Sequence, residues 1–199
     1  DAAGRYVRGE VDLIPELHRF KDEFEELREL YEQGYVELEG EWALTPEWEW
    51  TTWDAADAWL RMKLDALVVN AAGRFARVID YKTGQRRNNE IKHTEQGQVY
   101  QLGAFLRKPE LESLVVEFWY TDLGEIDRKT YTREQGLSYL SNYHKRFLEV
   151  TASDEFPPNP NAFSCKWCPY NGNACAHGYQ PMSADKAQNA LKKLKRKNR

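Results

Sequence analysis

Two apolar runs joined by a short turn restrict this chain more than any other feature. The runs are Leu60-Arg61-Met62-Lys63-Leu64-Asp65-Ala66-Leu67-Val68-Val69 and Phe75-Ala76-Arg77-Val78-Ile79-Asp80-Tyr81-Lys82. Between them Asn70-Ala71-Ala72-Gly73 supplies a turn, with glycine where a positive φ is needed, so the pair predicts a β-hairpin. Side chains alternate across a strand, which puts Asp80 and Lys82 on one face and Ile79 and Tyr81 on the other. A hairpin of this length brings Asp65 beside Asp80.

Two carboxylates crowded at one place repel each other unless a cation is shared, and hard oxygen ligands suit Mg²⁺ or Mn²⁺. The residues therefore fit a metal-dependent phosphodiester hydrolase, in which a lysine orients the attacking hydroxide and offsets developing negative charge. They fit equally a solvated strand end carrying an ordinary surface ion pair.

The rest of the chain narrows the setting. Its 199 residues, 41% of them hydrophobic, suffice for one domain with a substantial core, and a net charge of −4 argues against a protein that simply coats nucleic acid. No apolar run reaches membrane-spanning length and no signal peptide is visible, so no membrane partner is expected. Three cysteines, an odd number placed late in the chain, do not form a secreted disulfide framework and point to a reducing, cytoplasmic compartment. The chain opens on Asp1 without methionine, inside what reads as a helix, and a further segment upstream is expected.

Leu17, Phe20, Phe24, Leu27 and Leu30 recur at helical spacing over residues 13–31, and Gly34 ends that helix. Residues 35–44 alternate as a strand, on which Glu39 and Glu41 form either a solvent edge or a further carboxylate source. Trp48, Trp50 and Trp53 then offer either a base-stacking surface or a cap over the core. Beyond Gly84, Arg86 and Arg87 are the local candidates for phosphate contacts. A helix over residues 95–106 carries Gln98 and Gln101 on one face, to orient the lysine, to touch a DNA backbone, or simply to meet solvent. Strands over 114–121 and 126–131 follow, and Thr132 reads as the N-cap of a helix running to about residue 150.

The order helix, three strands, helix, strands, helix, together with Asp65, Asp80-Tyr81-Lys82-Thr83-Gly84 and Gln101-Leu102-Gly103-Ala104-Phe105, resembles the PD-(D/E)XK nuclease superfamily, in particular its RecB-type and phage-encoded exonuclease branch. That resemblance implies an α/β, restriction-endonuclease-like core, a mixed central sheet flanked by helices. It implies Asp65, Asp80 and the backbone carbonyl of Tyr81 as ligands of Mg²⁺ or Mn²⁺, and Lys82 as the catalytic lysine. The family's glutamine-x-x-x-tyrosine motif falls on Gln101 and Phe105, where phenylalanine departs from the pattern and Gln98 is a rival register. The family's N-terminal histidine has no counterpart here.

Cys165-x2-Cys168 with Cys175 resembles the iron–sulfur staple of RecB-like nucleases, whose fourth cysteine lies upstream of the core and is missing here. The alternatives are a 4Fe-4S cluster completed elsewhere, Zn²⁺ with His177 as fourth ligand, and no metal. The basic stretch 191–199 is either a DNA-holding tail or a solvated terminus. The expected organisation is a helical segment at 1–34, a nuclease core at 35–152 and a cysteine-rich lobe with basic tail at 153–199. The implied activity is metal-dependent DNA cleavage, exonucleolytic at ends in recombination or repair, beside a recombination partner protein. The competing expectation is a non-catalytic nucleic-acid- or partner-binding module with a cysteine-bound metal.

Overall fold

A computed structural model describes residues 2–83, 89–171 and 174–179. The chain divides into two compact units between Phe147 and Leu148. Among the described residues no helix is long and apolar enough to cross a membrane.

The first unit is built on one six-stranded sheet in the order β2-β1-β3-β4-β5-β6. Helix α1 (Ala2–Val7) stops at Gly9, whose φ of +75° is open to glycine without strain. The long N-terminal helix expected at 13–31 is instead a 3-10 segment, Pro15–Phe20, followed by α2 (Lys21–Glu32). Phe20, at φ −117° and ψ 27°, breaks the α path while its ring stays buried against Trp119 at 5.6 Å. The strands β1 (Val36–Leu44), β2 (Trp50–Thr51), β3 (Leu60–Val69) and β4 (Phe75–Lys82) are antiparallel neighbours. Helix α3 (Glu90–Arg107) then carries the chain over the sheet, so that β5 (Ser113–Tyr120) returns parallel to β4. Strand β6 (Glu125–Thr132) closes the edge antiparallel to β5. Thr132 caps α4 (Arg133–Leu137) in a reciprocal capping box with Gln135. The chain turns at Ser138 and Tyr139 before α5 (Leu140–Thr151), so the single helix expected there is two.

Each face of the sheet buries its own cluster. On one side Trp42, Leu64, Val78 and Val116 pack with Tyr100, Leu102 and Phe105 of α3. On the other, Ala66, Val68, Ile79 and Trp119 pack with Tyr6, Phe20, Phe24 and Leu27, so residues 1–34 supply most of the buried side chains of this second, smaller cluster. Gly97 lets α3 press onto β5, since a Cβ there would stand 3.2–3.3 Å from Val116 and Phe118. Strand β3 changes face midway: Leu64 and Leu67, an odd number of residues apart, belong to the same cluster. Opposite that switch, Glu39 of β1 takes φ +52°, a left-handed conformation that interrupts alternation in the partner strand too. The switch is what frees Asp65 from either core.

The second unit differs in kind. Asn161 caps its short helix α6 (Ala162–Lys166) by accepting from the amides of Phe163 and Ser164 at 3.1 and 2.9 Å. None of its described residues is buried, and Phe156, Phe163, Trp167 and Tyr170 stand in solvent.

Candidate active site

The site forms where the β3–β4 ladder runs out. Regular pairing ends at Ala66 opposite Ile79, and beyond it the amide of Tyr81 donates to Asp65 Oδ2 at 2.6 Å instead of to a strand neighbour. The N–H and C=O of one strand residue point to the same side, so the Tyr81 carbonyl also lies toward Asp65. Across the hairpin Asp80 is 5% exposed, and its Oδ2 lies 2.5 Å from Lys82 Nζ while accepting no hydrogen bond of ordinary geometry. The Lys82 ammonium donates in addition to Gln96 Oε1 at 2.8 Å and sits 5.5 Å from the centre of the Phe118 ring. Its carbonyl accepts from the amide of Thr121 at 3.0 Å, which fastens the end of β4 to the chain beyond β5. Asp65, Asp80 and Lys82 thus converge as the hairpin pattern predicts.

Helix α3 supplies the remaining wall through residues that sequence reasoning missed. Gln96 Nε2 donates to Asp80 Oδ1 at 3.2 Å and to the Tyr100 hydroxyl at 2.5 Å, so one amide spans both members of the Asp80–Lys82 pair. Tyr100, one helical turn on, places its hydroxyl 3.0 Å from Asp80 Oδ1 and 2.8 Å from the Lys63 carbonyl, two acceptors for a single proton. Burial, reinforced by the charge of Asp80, pushes the Tyr100 phenol well above its ordinary value and keeps it a donor. Gln101, by contrast, is fully buried away from the carboxylates, where its Nε2 donates to the carbonyls of Gln98 and Gly136 at 2.9 and 3.1 Å. Gln98 turns to α5 and accepts from the Tyr143 hydroxyl at 2.9 Å. The expected register at Gln101 and Phe105 is therefore displaced by five residues: glutamine-x-x-x-tyrosine stands at Gln96 and Tyr100. The signal was the literal motif, with tyrosine in its last place.

Asp65 is only half-buried. It opens into a hollow of about 350 Å³ lined by Glu39, Glu41, Lys63, Leu64 and Asp65 itself. Burial raises its carboxyl above the usual range and the charge of Asp80 adds to this, while the Tyr81 amide opposes. Two carboxylates and a backbone carbonyl are hard ligands that leave coordination positions to water and phosphate, as Mg²⁺ prefers. A cation there would also relieve the repulsion that raises Asp65, so the residues fit the ion.

The other expected ligands do not assemble. Cys165, Cys168 and Cys175 are free thiols, and among the described residues no three histidine, cysteine, aspartate or glutamate side chains gather to hold one ion. The iron–sulfur or zinc reading therefore has no ligand set among the described residues. Arg86 and Arg87 lie outside the described residues. Of the tryptophans, Trp48 is core: at φ +65° it stacks on Phe147 at 5.6 Å and donates to His144 Nδ1 at 3.1 Å. Trp53 remains half-exposed, with the Lys63 ammonium 5.0 Å from its ring centre.

Comparison with curated proteins finds no match. The chain is similar to a solved structure titled as the crystal structure of SSO0001, at 15% identity over 89% of this chain and 94% of that one, with a TM-score of 0.34. A likeness that loose carries no argument. The model of the PD-(D/E)XK nuclease superfamily, in contrast, matches residues 3–175, which take in the whole sheet, both carboxylates, the lysine and all of α3. The chain belongs to the PD-(D/E)XK nuclease superfamily.

Proposed function

We propose that this nuclease hydrolyses DNA phosphodiester bonds with Mg²⁺ or Mn²⁺ held by Asp65, Asp80 and the Tyr81 carbonyl. The observation that carries the reading is the Asp80–Lys82–Gln96 arrangement, a buried carboxylate paired to an ammonium that one amide fixes in place. When bound, the ion lowers the pKa of a water and neutralises phosphate charge. Asp65 accepts the Tyr81 amide through one oxygen and lines the open hollow. Lys82 is placed to orient a hydroxide and to stabilise the charge that develops on the phosphate oxygens. Gln96 and Tyr100 touch no substrate in this scheme; they position Asp80 and Lys82 relative to each other. The resemblance to RecB-type enzymes, together with the open hollow at Asp65, supports exonucleolytic action at DNA ends.

The test is release of acid-soluble nucleotides from end-labelled linear DNA in Mg²⁺ and in Mn²⁺, with EDTA and Asp80→Asn as controls and closed circular DNA beside it. Metal-dependent release from linear DNA alone supports the proposal. Cutting of the circle would move the reading to an endonuclease. Full activity of Asp80→Asn, or binding without turnover in either ion, would sink the mechanism.

A further inference from the structure

The hollow at Asp65 has a second wall that the chemistry just described does not use. Arg61 and Lys63 occupy alternate positions of β3 before the face switch, and Lys63 lines the same hollow as Asp65 at the switch. Each does something different. Arg61 spends its guanidinium on the loop between β2 and β3, donating to the carbonyls of Trp53 and Ala58 at 2.7 and 3.2 Å. The loop is built rather than loose: Thr51 Oγ1 donates to Asp57 Oδ1 at 3.1 Å, and the Trp59 amide donates to the Leu44 carbonyl at 2.9 Å. Held in this way, the half-exposed indole of Trp53 lies beside the Lys63 ammonium, and Lys63 lines the hollow that Asp65 floors. The backbone of Lys63 is tied to the centre itself, because its carbonyl accepts from Tyr100.

We propose that Lys63 and Trp53 form a nucleotide subsite, in which Lys63 takes the phosphate next to the scissile one and Trp53 stacks on the attached base. The inference rests on the nuclease reading above. The Lys63 side chain is 66% exposed and pairs with the 49% exposed Glu41 at 2.6 Å. Exposed pairs of this kind contribute little, so the ammonium exchanges Glu41 for a phosphate at small cost. Aromatic stacking is tolerant of base identity, which suits an enzyme that must accept successive nucleotides of any sequence. Glu41 then acts as a counterweight that holds Lys63 away from Asp65 when no DNA is present.

The test is equilibrium binding of a fluorescein-labelled single-stranded oligodeoxynucleotide to the whole chain in Ca²⁺ in place of Mg²⁺, followed over a salt series. Lys63→Gln should weaken binding and lower the slope of log K against log salt by about 0.7, the loss of one phosphate contact on a single strand. Trp53→Ala should weaken it about tenfold with the slope unchanged. Trp53→Phe, which keeps a stacking ring, should hold near-parent affinity while losing part of the DNA-induced quenching of tryptophan emission. Glu41→Gln should tighten binding, the opposite sign. Parent protein that binds and cuts, with Lys63→Gln and Trp53→Ala binding within about twofold of it, overturns the subsite and leaves the nuclease intact. Parent protein that neither binds nor cuts overturns both.

Discussion

Asp80 and Asp65 sit about one strand apart in opposite surroundings. Asp80 is enclosed by protein: Lys82 stands at one oxygen, Gln96 and Tyr100 of α3 donate to the other, and the proposed ion would share these oxygens with them. Asp65 has one backbone amide and then a hollow open to solvent. The closed wall fixes geometry before anything binds, while the open wall leaves room for an ion, a phosphate and the strand that carries it. Division of this kind lets a site be preorganised where charge is transferred and accessible where substrate arrives.

The contrast can be broken most severely on the closed side. Asp80→Asn or Lys82→Ala should lower the initial rate on linear DNA by about three orders of magnitude while leaving the far-UV circular dichroism unchanged. Comparable rates for the parent and either variant would dissolve the distinction between the walls. Next in size, Gln96→Ala should cost about 10- to 100-fold in activity or metal affinity, because it frees both members of the Asp80–Lys82 pair. Gln101→Ala should cost thermal stability and spare the rate, and the reverse order of the two variants would restore the register at Gln101.

A smaller effect separates packing from chemistry. A Cβ at Gly136 would run into Gln101 Oε1 and the Phe105 ring, so Gly136→Ala should destabilise the fold by about 1–3 kcal/mol in urea unfolding, with the rate per folded molecule kept. The smallest test is on the open side. Since the fold raises the Asp65 carboxyl, the associated stability is fully present only when that group is protonated and is lost as pH rises through its raised value. Without divalent ions, Asp65→Asn should therefore raise Tm at pH 7, and the gain should fade as pH falls through the raised value and be absent below about 4, where the aspartate is protonated in both states. A gain that is independent of pH would place its origin elsewhere than in the Asp65 charge.

Much of this molecule is readable from residues near one another in the chain. Alternation along 60–69 and 75–82, with the turn at Gly73, φ +73°, is a local property, and it was enough to bring Asp65, Asp80 and Lys82 together. The core strands and the Thr132 cap are local in the same sense. Gln96 was not, because α3 carries Gln96 on a different face from Gln98 and Gln101, and only the docking of that helix, close at Gly97, decides which face meets the sheet. The face switch at Glu39 and Asp65 was equally hidden, since a non-glycine residue with positive φ is imposed by its neighbours and leaves no mark in composition. The cysteine spacing was conspicuous, yet no ligand set forms among the described thiols. The sequence by itself determined the hairpin and the chemistry it presents, because strand periodicity is short-ranged. Tertiary structure alone decided which amide guards the lysine and which carboxylate stays open, because those depend on where a helix lands on a sheet.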